Sequence, residues 1–154
     1  MKKLQLNSLF LGLTLMTVAC KPGDAAKLPV LGNPVTENGV TREHTIRPFQ
    51  YLSQDSVNIN NDSLSGGVYI ADFFFTSCPS ICPRVMKQML RLHDEFKNVE
   101  GVRLVSFTLD PKRDTVGKLS VYAENIGVKS NKWLFLTGDK DFTLDLADDF
   151  FVAA

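Results

Sequence analysis

Val68-Tyr69-Ile70-Ala71-Asp72-Phe73-Phe74-Phe75-Thr76-Ser77-Cys78-Pro79-Ser80-Ile81-Cys82-Pro83 is the stretch around which the chain is organised. Its first half, residues 68–75, is an apolar, aromatic-rich run. Continuous rather than alternating hydrophobicity is what a strand of a helix-covered parallel sheet requires, so the run reads as a strand buried on both faces. Beyond Pro83, the residues Val85, Met86, Met89, Leu92 and Phe96 recur at helical spacing. Strand, loop and helix in that order deliver Cys78 and Cys82 to the place where a sheet's carboxyl edge meets a helix amino terminus.

Both cysteines precede a proline, whose ring pushes the preceding residue out of the α region. Pro83 fits the first helical position, where no amide donor is needed, and Cys82 then falls at or next to the N-cap. A thiolate there feels the positive end of the helix dipole, which lowers its pKa and makes it a better nucleophile or metal ligand. Three intervening residues still allow a disulfide, subject to the Cα separation of roughly 4.4–6.8 Å that a bridge demands.

The 154 residues, 44% hydrophobic and 22% charged with formal net charge zero, suit one globular domain plus a processed or tethering segment. Neutral balance weighs against nucleic acid as a partner, since phosphate binding needs concentrated Lys and Arg. Met1-Lys2-Lys3 is a short positive region, and residues 4–16 form a mostly apolar run of signal-core length, too short to span a bilayer comfortably. Thr17-Val18-Ala19-Cys20 then resembles the lipobox of bacterial lipoproteins, which implies that Cys20 becomes the first mature residue and carries lipid; Thr17 stands where leucine is more usual. An ordinary cleaved signal and a retained anchor are the other readings. All three place the mature domain outside the cytoplasm, on the periplasmic side and in a disulfide-permissive compartment.

The expected organisation is a lipoprotein-type signal peptide over residues 1–19, a tether over 20–43 rich in Pro, Gly, Asn and small residues, and an α/β domain over 44–154. Residues 45–53 and 56–60 flank Gln54-Asp55 and read as a hairpin at a sheet edge, where Pro48 is tolerated. Residues 102–109 and 133–138 read as further strands. Asp114 or Thr115 is a candidate N-cap for a helix running to about Asn125, and residues 141–149 form a short final helix. Alternation of strands with helices indicates an α/β layer with right-handed crossovers. Phe150-Phe151-Val152-Ala153-Ala154 follows the last helix with no strand to complete the sheet, so the domain reads as truncated at its C-terminus.

Phe73-Phe74-Phe75-Thr76-Ser77-Cys78-Pro79-Ser80-Ile81-Cys82-Pro83, followed by Leu109-Asp110-Pro111-Lys112-Arg113-Asp114-Thr115 and by Trp133-Leu134-Phe135-Leu136-Thr137-Gly138, closely resembles the SCO/SenC family. These are membrane-tethered, thioredoxin-like copper proteins of cytochrome c oxidase assembly. The resemblance implies a thioredoxin-like fold and a copper ion held by Cys78 and Cys82, which it also pairs as a disulfide. It implies as partner a copper-site subunit of cytochrome c oxidase or another copper chaperone. It places Asp110 in a supporting role beside the cysteine loop, and it puts a third ligand, a histidine, on a segment following Ala154. Of the two histidines present, His93 lies 11 residues beyond Cys82 in sequence, about 16 Å along a helix, too far to share a metal. His44 precedes the first hairpin and is unconstrained by sequence; both read more simply as polar surface or partly packed residues.

Two other readings of the cysteine pair remain. An inert disulfide closing so short a loop would constrain the unfolded chain little. A thiol-disulfide oxidoreductase, acting on cysteines of a copper-site protein, would more often use C-x-x-C. Thiolates set further apart can embrace a soft ion, and they prefer Cu(I), with Zn(II) a competitor. Peroxidase chemistry lacks a distant resolving cysteine. Phe73, Phe74, Phe75 and Phe107 read as core or cleft walls, Met86 and Met89 as core rather than thioether ligands, and Arg113 with Asp114 as a loop-fixing charge pair.

Overall fold

The computed structural model describes residues 29–129 and 131–152. The expected signal peptide, Cys20 and the start of the expected tether lie outside the described residues. The chain divides into two units, Met1–Glu43 and His44–Ala154. Within the first, β1 (Val35–Glu37) pairs antiparallel with β2 (Val40–Arg42) in a small hairpin. Asn38 and Gly39 turn it with φ of 51° and 76°, the positive pair that a two-residue hairpin turn needs and that Asn-Gly supplies. This local order sits in a stretch whose composition reads as tether. Every side chain of β2 is exposed.

The second unit holds a five-stranded sheet of order β4-β3-β7-β6-β5. β3 (Gln50–Ser53) and β4 (Asn58–Asn60) form the antiparallel edge hairpin, and β3 also pairs antiparallel with β7 (Trp133–Thr137). β5 (Val68–Phe74), β6 (Val102–Thr108) and β7 run parallel to one another, joined by α1 (Ile81–Phe96) and α2 (Val116–Asn125) and followed by α3 (Lys140–Asp149). The expected thioredoxin-like α/β layer is the architecture found.

Continuous hydrophobicity does mark strands covered on both faces, and β6 and β7 meet that description most fully. Leu104, Trp133 and Phe135 pack with Met86 and Met89 of α1 and Leu119 of α2 on one side. Val105, Phe107 and Leu136 pack with Tyr51 and Leu146 of α3 on the other. β5 is instead the outer strand, and most of its residues are only half-buried. Its two faces do meet both core layers, Phe74 one and Phe73 the other, but among the described residues it has a strand neighbour on one side only.

Helix α1 starts two residues earlier than its prolines imply. Ser80 is its N-cap, so Pro83 is the third helical residue and Cys82 the second. The position is tolerated because the first four amide groups of a helix have no intrahelical acceptor, so a missing N–H there costs nothing. Thr115 caps α2 as its sequence indicates, its hydroxyl accepting from the Lys118 amide at 3.4 Å.

Candidate metal centre

The cysteine loop leaves β5 through Phe75 and Thr76 and turns back at once, the Cys78 amide donating to the Phe75 carbonyl at 3.1 Å. The turn brings Cys78 over the start of α1, where the Cys82 amide donates to Cys78 Sγ at 3.4 Å. Both thiols are free. Cys78 is half-buried, while Cys82 retains 8% of its surface. They open together onto a cleft of about 300 Å3 whose walls include Phe75, Pro83, Met86, Leu90 and Tyr122.

The two sulfurs differ in acidity, and in the opposite sense to the one the sequence implies. Cys78 is brought down to about 7, chiefly by a hydrogen bond from the Cys82 thiol and then by the Ser80 and Cys82 amides. Cys82 is raised, first by burial and then by donating to Cys78. The free amides at the helix start therefore serve the sulfur outside the helix, because a side chain inside the first turn cannot reach back to them. A half-ionised outer thiol beside a protonated inner one is ready to bind a soft cation or to attack a disulfide.

Asp114, rather than either loop proline, ties the cysteine loop down. Its carboxylate is fully buried and accepts from the Thr76 amide at 3.0 Å, the Thr76 hydroxyl at 2.5 Å and the Thr108 hydroxyl at 2.6 Å. One side chain thus joins the end of β6 to the residue two places before Cys78. The expected Arg113–Asp114 charge pair does not form, since Arg113 bonds Asp110 at 3.1 Å. Asp110 stands on the loop next to the cysteine loop, where parallel pairing sets Phe74 opposite Thr108. Its carboxylate faces Arg113, and its carbonyl accepts from the Asp114 amide at 2.8 Å. The available signal for Asp114 was Thr108 at the end of the preceding strand, six residues earlier; its other partner, Thr76, lies 38 residues back in sequence.

A second carboxylate escaped the sequence reading. Asp72 interrupts the apolar run of β5 and, by strand alternation, shares the face of Ile70 and Phe74 beneath α1. It is 9% exposed, Ser106 directly across the ladder donates to its Oδ1, and its Oδ2 has no partner. Ser106 accepts in turn from the Trp133 indole at 2.8 Å. Burial pushes Asp72 up to about 6.

Neither histidine joins the thiols. His93 is buried on α1 against Trp133, with ring centroids 5.8 Å apart. His44 Nε2 bonds the Asp149 carbonyl at 2.8 Å and its ring packs on Phe151. No group of three or more His, Cys, Asp or Glu residues suited to a metal occurs among the described residues. Met86 and Met89 are core side chains, each 4% exposed.

A thioredoxin-like layer that presents two free thiols at the carboxyl edge of its sheet defines a class of thiol-bearing redox and metal-handling proteins. The SCO1/SenC family model matches residues 37–154, and the chain belongs to that family. It is 38% identical over 97 residues to the SCO1 protein homolog of Bacillus subtilis, covering 62% of this chain and 50% of that protein. The chain thus spans about half the length of that relative. BsSco, a member of the Sco family of cytochrome c oxidase assembly proteins in which a disulfide switch was identified, superimposes with a TM-score of 0.63 at 34% identity, over 70% of this chain and 64% of that one. Copper-bound ScoI of Arabidopsis thaliana gives a TM-score of 0.58 at 28% identity, over 70% and 66%.

Proposed function

We propose that the chain is a copper carrier that works outside the cytoplasm and delivers copper during cytochrome c oxidase assembly, with Cys78 and Cys82 as its thiolate ligands. The observation that carries this reading is the pair of free thiols sharing one open cleft, the outer lowered to about 7 and bonded to the inner. The copper-bound relative supports it. Copper is cargo here. The ionised Cys78 takes the incoming ion and Cys82 gives up its proton as the second bond forms; the family resemblance implies a histidine as the third ligand. Two protein thiolates at a cleft mouth leave the ion accessible to an acceptor's ligands. That acceptor is a copper-site subunit of the oxidase or another copper chaperone. Oxidation of the two thiols to a disulfide withdraws both ligands and stops uptake. Asp110 supports the site through its loop, and lipid at Cys20 tethers the domain to the membrane.

Anaerobic titration of the reduced chain with Cu(I), alone and against Zn(II), tests the carrier reading. One equivalent of copper bound by the native chain and lost on Cys78→Ser or Cys82→Ser is expected. Uptake that persists in both variants overturns it. A second reading, thiol-disulfide oxidoreductase, has its own support: an attacking thiol is most effective when its pKa lies near the ambient pH, and Cys78 meets that condition. Disulfide reductase turnover with negligible metal uptake would favour it. Mass spectrometry of the chain recovered from membranes reads the lipid at Cys20.

A further inference from the structure

Beside the thiol cleft, on the far side of Phe75, lies a second cleft of about 560 Å3. Phe75, Leu109 after β6 and Leu144 of α3 form its apolar floor, and Lys112, Arg113 and Lys140 stand around it. Asp110 is the sole acid among the lining residues, and Arg113 holds it at 3.1 Å. Three cations against one carboxylate leave a surplus of two positive charges (3 − 1) over an apolar floor. Neither Lys112 nor Lys140, both exposed, makes an ion pair among the described residues. Phe75 lines both clefts, so a chain seated in the second lies next to the one onto which the sulfurs open.

We propose that this cleft binds a short acidic segment of the acceptor protein, an apolar side chain inserting between Phe75, Leu109 and Leu144 while carboxylates face Lys112, Arg113 and Lys140. The proposal rests on the copper-carrier reading and names what that reading needs, a place beside the thiols where the acceptor is held during ligand exchange. Charge complementarity identifies the occupant. A basic segment would meet the surplus positive charge, and a wholly polar one would leave the floor wet. Rim charges of this kind govern encounter rate and partner choice more than final affinity, which suits an acceptor that must leave after taking its ion.

The test uses the full chain, reduced and metal-free, with a short fluorescent peptide of Asp, Glu, Leu and Phe as probe. Control peptides carry Lys in place of the acids or Ser in place of Leu and Phe. The acidic apolar peptide binds, and weakens as salt is raised through the range where the screening length falls below about 10 Å. Lys112→Glu with Lys140→Glu weakens it on the order of tenfold, as two reversed exposed charges imply. Leu144→Gln weakens it too, and neither control peptide binds comparably. Equal binding of the Lys peptide, indifference to the charge reversal, or capture of the chain by anionic lipid vesicles with no binding of the peptide overturns the proposal. Cys78→Ser leaves peptide binding intact, so failure of the docking cleft is read separately from failure of copper uptake.

Discussion

Asp114→Asn should cost the reduced domain about 2 kcal/mol, because three bonds to a buried anion become bonds to a neutral amide, and charge-assisted hydrogen bonds are roughly twice as strong as neutral ones. The three donors are the Thr76 amide, the Thr76 hydroxyl and the Thr108 hydroxyl. Both hydroxyls can turn, and the amide oxygen still accepts from one side, so the loop stays tethered but loosely. Asp114→Ala leaves all three donors without their acceptor and should cost about 4 kcal/mol, a large share of a small domain's stability. Urea unfolding under reducing conditions, followed by emission of the single and fully buried Trp133, measures both. Thr108→Val separates fold from site. It removes the bond to Asp114 and the one that the hydroxyl accepts from the Asp110 amide at 3.1 Å, while Asp114 keeps both bonds to Thr76 of the cysteine loop, so it should lower stability by about 1–2 kcal/mol and leave Cu(I) affinity unchanged. Asp114→Asn should weaken copper binding beyond what its stability loss explains. A stability change under 0.5 kcal/mol for Asp114→Ala, well below what unsatisfied buried donors cost, would refute the reasoning, as would equal loss of copper affinity in Thr108→Val and Asp114→Asn.

Three further perturbations follow from the same geometry. The native state lifts Asp72 from 3.8 to about 6 and so holds its proton more firmly than the unfolded chain does; this contribution weakens stability as pH rises from about 4 to 6 and is constant above, a penalty of about 3 kcal/mol at neutral pH. Asp72→Asn should therefore be stabilising by about 2 kcal/mol at neutral pH and near neutral in effect below about pH 4, read by urea unfolding at the two pH values. Cys82→Ala removes the leading cause of the lowered Cys78 pKa, so the thiolate absorbance of Cys78 should titrate above its native midpoint near 7; an unchanged midpoint would mean that the amides alone suffice. A Cβ at Gly138 would stand 2.5 and 2.7 Å from two Tyr51 ring carbons, so Gly138→Ala should lower the urea midpoint by the equivalent of about 2 kcal/mol.

The fold was legible where periodicity and punctuation agree. Residues 102–109 and 133–138 gave β6 and β7, and Thr115 announced α2, because apolar runs and a hydroxyl cap are local signals. Less legible was which strand lies inside. Among the described residues the apolar run that ends in the cysteines lies at the edge of the sheet, and nothing within the run records how many neighbours it has. Both cysteines were visible as a pair, yet their relative acidity was not, since it depends on which sulfur the helix amides can reach. Asp114 and Asp72 show the other limit. Each takes its meaning from hydroxyls on neighbouring elements, Thr76 and Thr108 for one and Ser106 for the other. The Asn38-Gly39 hairpin was available in the sequence and was masked by the loose composition around it.

Copper K-edge absorption of the reduced chain after one equivalent of Cu(I) bears most directly on whether the two thiols share a metal. Two sulfur scatterers per copper are expected in the native chain, and no copper with two sulfur neighbours is recovered with either Cys78→Ser or Cys82→Ser, in which stoichiometric uptake is lost. A native spectrum with no sulfur scatterer, or the same spectrum in all three proteins, would contradict it.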